Sequence, residues 1–364
     1  MEQPVKKRYD LILILALTLL NVVGLVILYS ASAYNGAVKF HDSFYYLKKQ
    51  LFATILGIAC VYVTAQIDYH YWKKFAVLGY LISLILSLLV LVVGDEYNGS
   101  KRWLSFGPVS FQPSEYAKVA VILFLSYLVT KNIKTMHRFS TMFKILVVIL
   151  PIVGLVGSNN LSTAIIILGI AVILIFVASP KYGQFIVMGT MGIGFMAVFL
   201  ALESYRLERL AIWRHPENFE KGYQTMQGLY AIGSGGLFGR GLGNSIQKLG
   251  FVPEAQNDMI FSIICEELGL MGAGLILLLF LIIIWRFFVI AWRAPDLFGT
   301  LIAGGAMAHM MIQVILNVAV VTNSIPNTGI TLPFISYGGT SVVFLMVEMG
   351  LVLSVSSLVK YTEI

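Results

Sequence analysis

Asp258 closes the run Pro253-Glu254-Ala255-Gln256-Asn257-Asp258 and stands at the first turn expected for a long apolar helix, Met259 to Ile284. A carboxylate at the mouth of a membrane span is costly to bury unless it has a partner or a function. Ser262, Cys265 and Gly269 follow at spacings of four, seven and eleven residues. On a helix that is one small, polar face, directed into protein or water. Such an acid can act as a base, or it can complement the positive end of a helix macrodipole. Spacing alone supports both equally. Glu266 and Glu267 lie deeper in the same span, where a salt bridge is the expected role.

A second constellation is Lys101-Arg102-Trp103, followed by Gln112-Pro113-Ser114-Glu115-Tyr116-Ala117-Lys118. Pro113 suits a helix start, and Glu115 and Lys118 are three apart and share a face. A lysine in an apolar run snorkels, pairs or binds an anion. An ion pair that anchors the helix is a somewhat readier explanation than chemistry, and Lys101 and Arg102 read still more readily as interfacial anchors beside Trp103. The third is Pro326 to Ser341, with two prolines and three glycines, including Ser336, Gly338 and Gly339. Irregular backbone at the membrane edge needs a covering of protein or a wet cavity. Its NH groups and hydroxyls could hold an anion at a helix start; a re-entrant structural plug is the plain alternative. The fourth is a stripe at spacing four, His309, Gln313 and Asn317, which interhelical hydrogen bonding explains without catalysis. Arg206, Arg209 and Arg214 read either as a solvated basic helix or as attraction for a phosphate-bearing substrate.

The elements that must position these residues are membrane helices. The chain is 58% hydrophobic and 12% charged over 364 residues, whereas a soluble domain carries roughly a quarter charged residues. Ten candidate spans follow: 11–30, 47–66, 73–94, 113–131, 142–157, 160–178, 184–202, 258–285, 299–322 and 337–358. Ten spans put both termini on one side. The short segments on that side hold thirteen Lys or Arg and those opposite hold five, Lys39, Lys48, Lys49, Lys101 and Arg102. The positive-inside rule places both termini in the cytoplasm. The expectation is therefore an all-α polytopic membrane protein of one domain, residues 1–364, with a large extracellular loop at 202–257 between helices 7 and 8. Cys60 and Cys265 do not form a disulfide framework. No metal-ligand cluster, phosphate loop or dinucleotide fingerprint is visible, and nothing suggests nucleic acid.

Arg102-Trp103 with Gln112-Pro113-Ser114-Glu115, Pro253 to Phe261 with Glu266-Glu267-Leu268-Gly269, and Thr328-Gly329-Ile330 with Leu332 to Gly339 resemble the SEDS family (shape, elongation, division and sporulation; FtsW, RodA and SpoVE). The resemblance covers nearly the whole chain. Gly243 to Lys248 and the Ala255-Gln256 pair resemble the FtsW/SpoVE branch. The family implies a peptidoglycan glycosyltransferase that polymerises lipid II on the outer face of the cytoplasmic membrane beside a class B penicillin-binding protein, with other divisome membrane proteins near the septum. Its catalytic aspartate falls on Asp258, and its Glu and Lys of the fourth helix fall on Glu115 and Lys118. Two positions depart from the family pattern. Asn160 and Ser162 stand where an acid and a glycine are frequent, and Gln256-Asn257 where His-Thr is frequent, so neither pair supplies a base.

The implied reaction is an inverting attack of a GlcNAc 4-hydroxyl on a glycan carried by undecaprenyl pyrophosphate. It needs a base, Asp258, and positive charge at the leaving group, for which Lys118, Arg102, Lys101, Arg206 and Arg209 are candidates. A divalent cation, Mg or Mn, could assist, although the sequence shows no dedicated site. The rival classes are a lipid II flippase and a scaffold that recruits a transpeptidase.

Overall fold

The computed structural model describes residues 8–97, 100–107, 109–181, 183–187, 189–190 and 210–359. Of the expected seventh span, 184–202, only 184–187 and 189–190 are described, and the start of the long loop, with Arg206 and Arg209, lies outside the described residues. The helices are α1 (Leu11–Phe40), α2 (Tyr45–Gln66), α3 (Tyr69–Val93), α4 (Pro113–Lys131), α5 (Phe139–Gly157), α6 (Leu161–Ala178), α7 (Tyr223–Gly235), α8 (Ile260–Arg293), α9 (Leu297–Val321) and α10 (Gly339–Ser357). Among the described residues, eight of these are long and apolar enough to cross a membrane. α4 falls short of that group because Glu115 and Lys118 sit in its first turns. α7 is a short helix within the long polar segment.

Lipid exposure shows in the helix faces. On α1, Leu11, Leu15, Leu19, Val22 and Val26 are exposed at spacings of three and four, while Leu13, Leu17, Leu20 and Leu28 are buried. An apolar stripe of that extent belongs against lipid. α9 and α10 are the enclosed helices, with 61% and 67% of their apolar windows buried against 28% for α2, α3 and α5. α10 packs on α2 through small residues: a Cβ on Gly350 would meet Thr64 Oγ1 at 1.7 Å, and one on Gly57 would meet Met346 Cγ at 2.8 Å.

Contacts sort the connections to two ends. At one end Asp10 caps α1, accepting from Leu13 N at 2.9 Å. It also pairs with Arg286 of α8 and accepts from that residue's Nε at 3.1 Å. Ser354 of α10 donates to the Ile67 carbonyl there, and Tyr69 donates to Asp296. At the other end lie 94–112, 158–160, 210–259 and 322–338. The first of these holds a feature absent from the expected all-α pattern. It is a small antiparallel meander, β1 (Asp95–Tyr97), β2 (Ser100–Phe106) and β3 (Val109–Phe111).

α8 is broken at Gly269, whose φ of 67° and ψ of −171° suit glycine alone. The break is filled by chain 236–241. Leu270 N donates to the Gly236 carbonyl at 2.9 Å, and Gly241 N to the Glu267 carbonyl at 2.9 Å. Glu266 and Glu267 do form the expected pairs. Glu267 accepts from Lys248 Nζ at 2.6 Å and Ser30 at 2.7 Å, and Glu266 pairs with Arg240 at 3.6 Å and accepts from Ile246 N at 3.1 Å.

Both the break and the ion pair at the first end carry stability. A Cβ at 269 would lie 2.3 Å from Gly239 N, so Gly269→Ala lowers unfolding stability by at least about 2 kcal/mol, read as loss of the monodisperse folded fraction on heating. Arg286→Ala removes an ion-pair partner of the buried Asp10, which keeps its cap bond from Leu13 N, and lowers stability in the same assay by more than substitution of an exposed arginine.

Candidate active site

The segment 322–338 is irregular, and side chains from α2, α6 and α9 hold its backbone. Asn317 Nδ2 on α9 donates to the Ile330 carbonyl at 2.7 Å and to the Asp258 carbonyl at 2.8 Å. Gln313 Nε2, one turn away, donates to the Thr331 carbonyl at 3.0 Å. Ser162 of α6 donates to the Thr328 carbonyl at 2.6 Å. Gln50 of α2 donates to the Ser336 carbonyl at 3.3 Å and accepts from Gly338 N at 3.1 Å. The protein thus satisfies backbone groups that lipid could not.

This frame holds Asp258, which lies in the turn before the Met259 N-cap of α8 rather than in the helix itself. Ser336 Oγ donates to the Asn257 carbonyl at 2.6 Å, and Tyr337 N donates to the Gln256 carbonyl at 2.9 Å. The carboxylate is half-buried. Gln224 of α7 donates to its Oδ1 at 3.4 Å. Asn327 in turn donates to Gln224 Oε1 at 3.3 Å. Gly329 lies against Oδ2, where even an added Cβ would keep ordinary contact at 3.7 Å. Burial pushes the Asp258 carboxyl up to about 6, and the nearby Glu254 charge pushes the same way against the hydrogen bonds it accepts. A carboxyl poised there is suited to accept a proton near neutral pH.

Lys118 and Glu115 form the expected pair at 3.0 Å, and both are buried, 2% and 6% exposed. The lysine also donates to Gln313 Oε1 at 3.4 Å. His309 Nε2 lies 2.8 Å from that same oxygen, and His309 Nδ1 lies 2.7 Å from Glu348 Oε2 on α10. The polar stripe of α9 is therefore the link between the two candidate groups. Asn317 touches the Asp258 backbone and Gln313 touches the Lys118 ammonium, about 6 Å apart along the helix axis. The loop residues Thr328 to Thr331 lie between these anchors, with Gly329 on the Asp258 side and Thr331 on the Gln313 side.

Lys101 and Arg102 occupy a separate position on β2. Arg102 Nε donates to the Asn159 carbonyl at 2.8 Å, and Asn159 Nδ2 to the Lys101 carbonyl at 2.6 Å. With Ser114, Asn159 and Asn160 they line a narrow cleft of about 20 Å³. Asn160 caps α6 by accepting from Thr163 N at 3.1 Å. The Ser336 hydroxyl and the Gly338 NH are both occupied by protein, so they brace the loop in this structure, and Gly339 opens α10 against Ala53.

Sequence reasoning missed Gln224 and Gln50, whose uncharged side chains carry no period or motif, and read no role for Asn327, which lies in the segment singled out at Pro326 to Ser341. It also missed Glu348, a lone acid within a span. That signal was present, since an ionisable residue inside a membrane helix is a site candidate by default.

Residues 10–361 match the family model FTSW_RODA_SPOVE, described as cell cycle protein. The chain is 40% identical to stage V sporulation protein E of Bacillus subtilis (strain 168), over 98% of this chain and 99% of that protein. It is 37% identical to the probable peptidoglycan glycosyltransferase FtsW of Geobacter metallireducens, over 98% and 96%. Among solved structures it is similar to a chain of a peptidoglycan synthase complex that coordinates polymerization and crosslinking, with a TM-score of 0.81, 28% identity and coverage of 96% and 97%. Thermus thermophilus rod shape determining protein RodA gives a TM-score of 0.70 at 27% identity, with 96% of each chain covered. With the match running almost end to end, this chain belongs to the FtsW/RodA/SpoVE family.

Proposed function

We propose that the chain is a peptidoglycan glycosyltransferase that polymerises lipid II, with Asp258 as its general base. The observation that carries the proposal is the Asp258 carboxyl, held near neutrality by burial beside a clamped loop at the end of the bundle that bears the long polar segment. The charge bias of the connections makes that end the outer face of the cytoplasmic membrane.

Asp258 takes the proton of the acceptor GlcNAc 4-hydroxyl as that oxygen bonds to the donor C1. The C1–O bond to undecaprenyl pyrophosphate breaks, and the pyrophosphate leaves with the electron pair. One β-1,4 bond forms with inversion. Lys101 and Arg102 at the rim cleft receive the pyrophosphate charge, together with Arg206 and Arg209 of the long loop. Lys118 acts from beneath the loop, its charge balanced by Glu115. Among the described residues no three His, Cys, Asp or Glu side chains converge as a metal site. A divalent cation that assists departure would be held mainly by the pyrophosphate itself, and no step is assigned to one. The partner we propose is a class B penicillin-binding protein, with other divisome membrane proteins at the septum. A flippase would need polar groups from face to face. Between Leu301 and Ala308, below His309, α9 carries only apolar and small residues.

Asp258→Asn in the full chain, with its partner and purified lipid II, is expected to lose about 10²–10⁴-fold in polymerisation while remaining folded. Near wild-type glycan synthesis would sink the base assignment. Lipid II crossing liposomes without polymer would instead favour transport. The acid limb of kcat/KM is expected near the carboxyl's value of about 6. Glu254→Gln removes a like charge and moves that limb to lower pH; an unmoved limb counts against Asp258 as the titrating group.

A further inference from the structure

The side-chain amide of Gln313 has its two ends fixed by different neighbours. Nε2 lies 3.0 Å from the Thr331 carbonyl oxygen, which can only accept. The nitrogen must therefore point there, and Oε1 faces His309 Nε2 at 2.8 Å and Lys118 Nζ at 3.4 Å. An amide oxygen only accepts, so His309 Nε2 carries a hydrogen. The other ring nitrogen, Nδ1, lies 2.7 Å from Glu348 Oε2. One proton sits between those two atoms, and the pair has no net charge whichever of them holds it. His309 and Glu348 are each 1% exposed.

We propose that His309 and Glu348 are positioning residues for the transfer reaction, holding the Gln313 amide in the one orientation that presents its oxygen to Lys118 and its nitrogen to the Thr331 loop. This rests on the glycosyltransferase reading above. Without the His309 N–H, the amide oxygen keeps only its 3.4 Å contact with Lys118 and the side chain loses its nearer anchor. Turning over offers no escape, since it would set NH₂ against the ammonium and oxygen against the Thr331 carbonyl. A loosened Gln313 seats the ammonium poorly, and the loop that carries Gly329 beside Asp258 loses a clamp. If the pair served only as polar glue between α9 and α10, its loss would change stability and would add to other losses independently.

Two measurements test this. The first is ¹⁵N NMR of the histidine-labelled full chain in nanodiscs at neutral pH. Of the five His signals, that of His309 is assigned by its loss in His309→Phe or its shift in Glu348→Gln. A protonated Nε2 is expected, and a bare Nε2 overturns the proposal. The second is a double-mutant cycle on kcat/KM for lipid II polymerisation with the partner present. His309→Phe and Gln313→Leu should each cost at least about tenfold, and the double variant should be no worse than Gln313→Leu alone. Glu348→Gln can donate to Nδ1 of a neutral ring, so it should stay within about threefold of wild type, while Glu348→Leu should not. Additive losses, or Glu348→Gln falling as far as Glu348→Leu, overturn it. Retained polymerisation by Asp258→Asn would instead bring down the base assignment, and the protonation of His309 Nε2 would still decide the orientation of the amide by itself.

Discussion

An irregular backbone at the edge of a membrane must have its NH and carbonyl groups satisfied by protein, and the architecture at this site follows from that constraint. The segment 322–338 cannot use a helix ladder, and lipid offers nothing in exchange. Gln50, Ser162, Gln313 and Asn317 supply the missing partners from α2, α6 and α9. Each is a neutral side chain, so none carries the large penalty of a buried charge. The same constraint fixes the active-site turn. Asn317 bridges the loop and the Asp258 carbonyl, and Ser336 bridges the loop and the Asn257 carbonyl. Base and loop are thus parts of one hydrogen-bonded unit.

The charged groups obey a related rule. Lys118 with Glu115 and Lys248 with Glu267 are close buried pairs, and the part-buried Arg286 pairs with the buried Asp10. Removing one member of such a pair leaves an uncompensated charge, which is why pairs persist where hydrophobic replacement could be as stable. Asp258 differs from these acids. Its contacts are an amide, a glycine and a like-charged neighbour, so its carboxyl is raised to about 6. A carboxyl held this way gives up stability to stay reactive, which is the pattern expected at a functional site.

Much of this was legible in the sequence because membrane helices and ion pairs leave strong signals. The hydropathy runs located the described membrane helices, and the spacing of Glu115 and Lys118 gave their pair. The stripe His309, Gln313, Asn317 was visible as a polar face but not as the link between Lys118 and Asp258, since spacing cannot say what a face meets. The break at Gly269 was hidden because the apolar run continues through it, and only the approach of Gly239 explains it. The meander at 95–111 was hidden because its strands are short and lie in a polar connection. Gln224 was invisible for a different reason: its contact with Asp258 spans 34 residues and depends on how α7 folds back.

If Asp258 is a base tuned by its surroundings, its carboxyl must titrate well above an ordinary aspartate. That can be read by ¹³C NMR titration of the labelled Asp258 carboxyl in the full chain, assigned by its loss in Asp258→Asn. The expected midpoint lies near 6, the value that burial imposes. A midpoint at the ordinary aspartate value of about 4 would contradict a tuned base at this position.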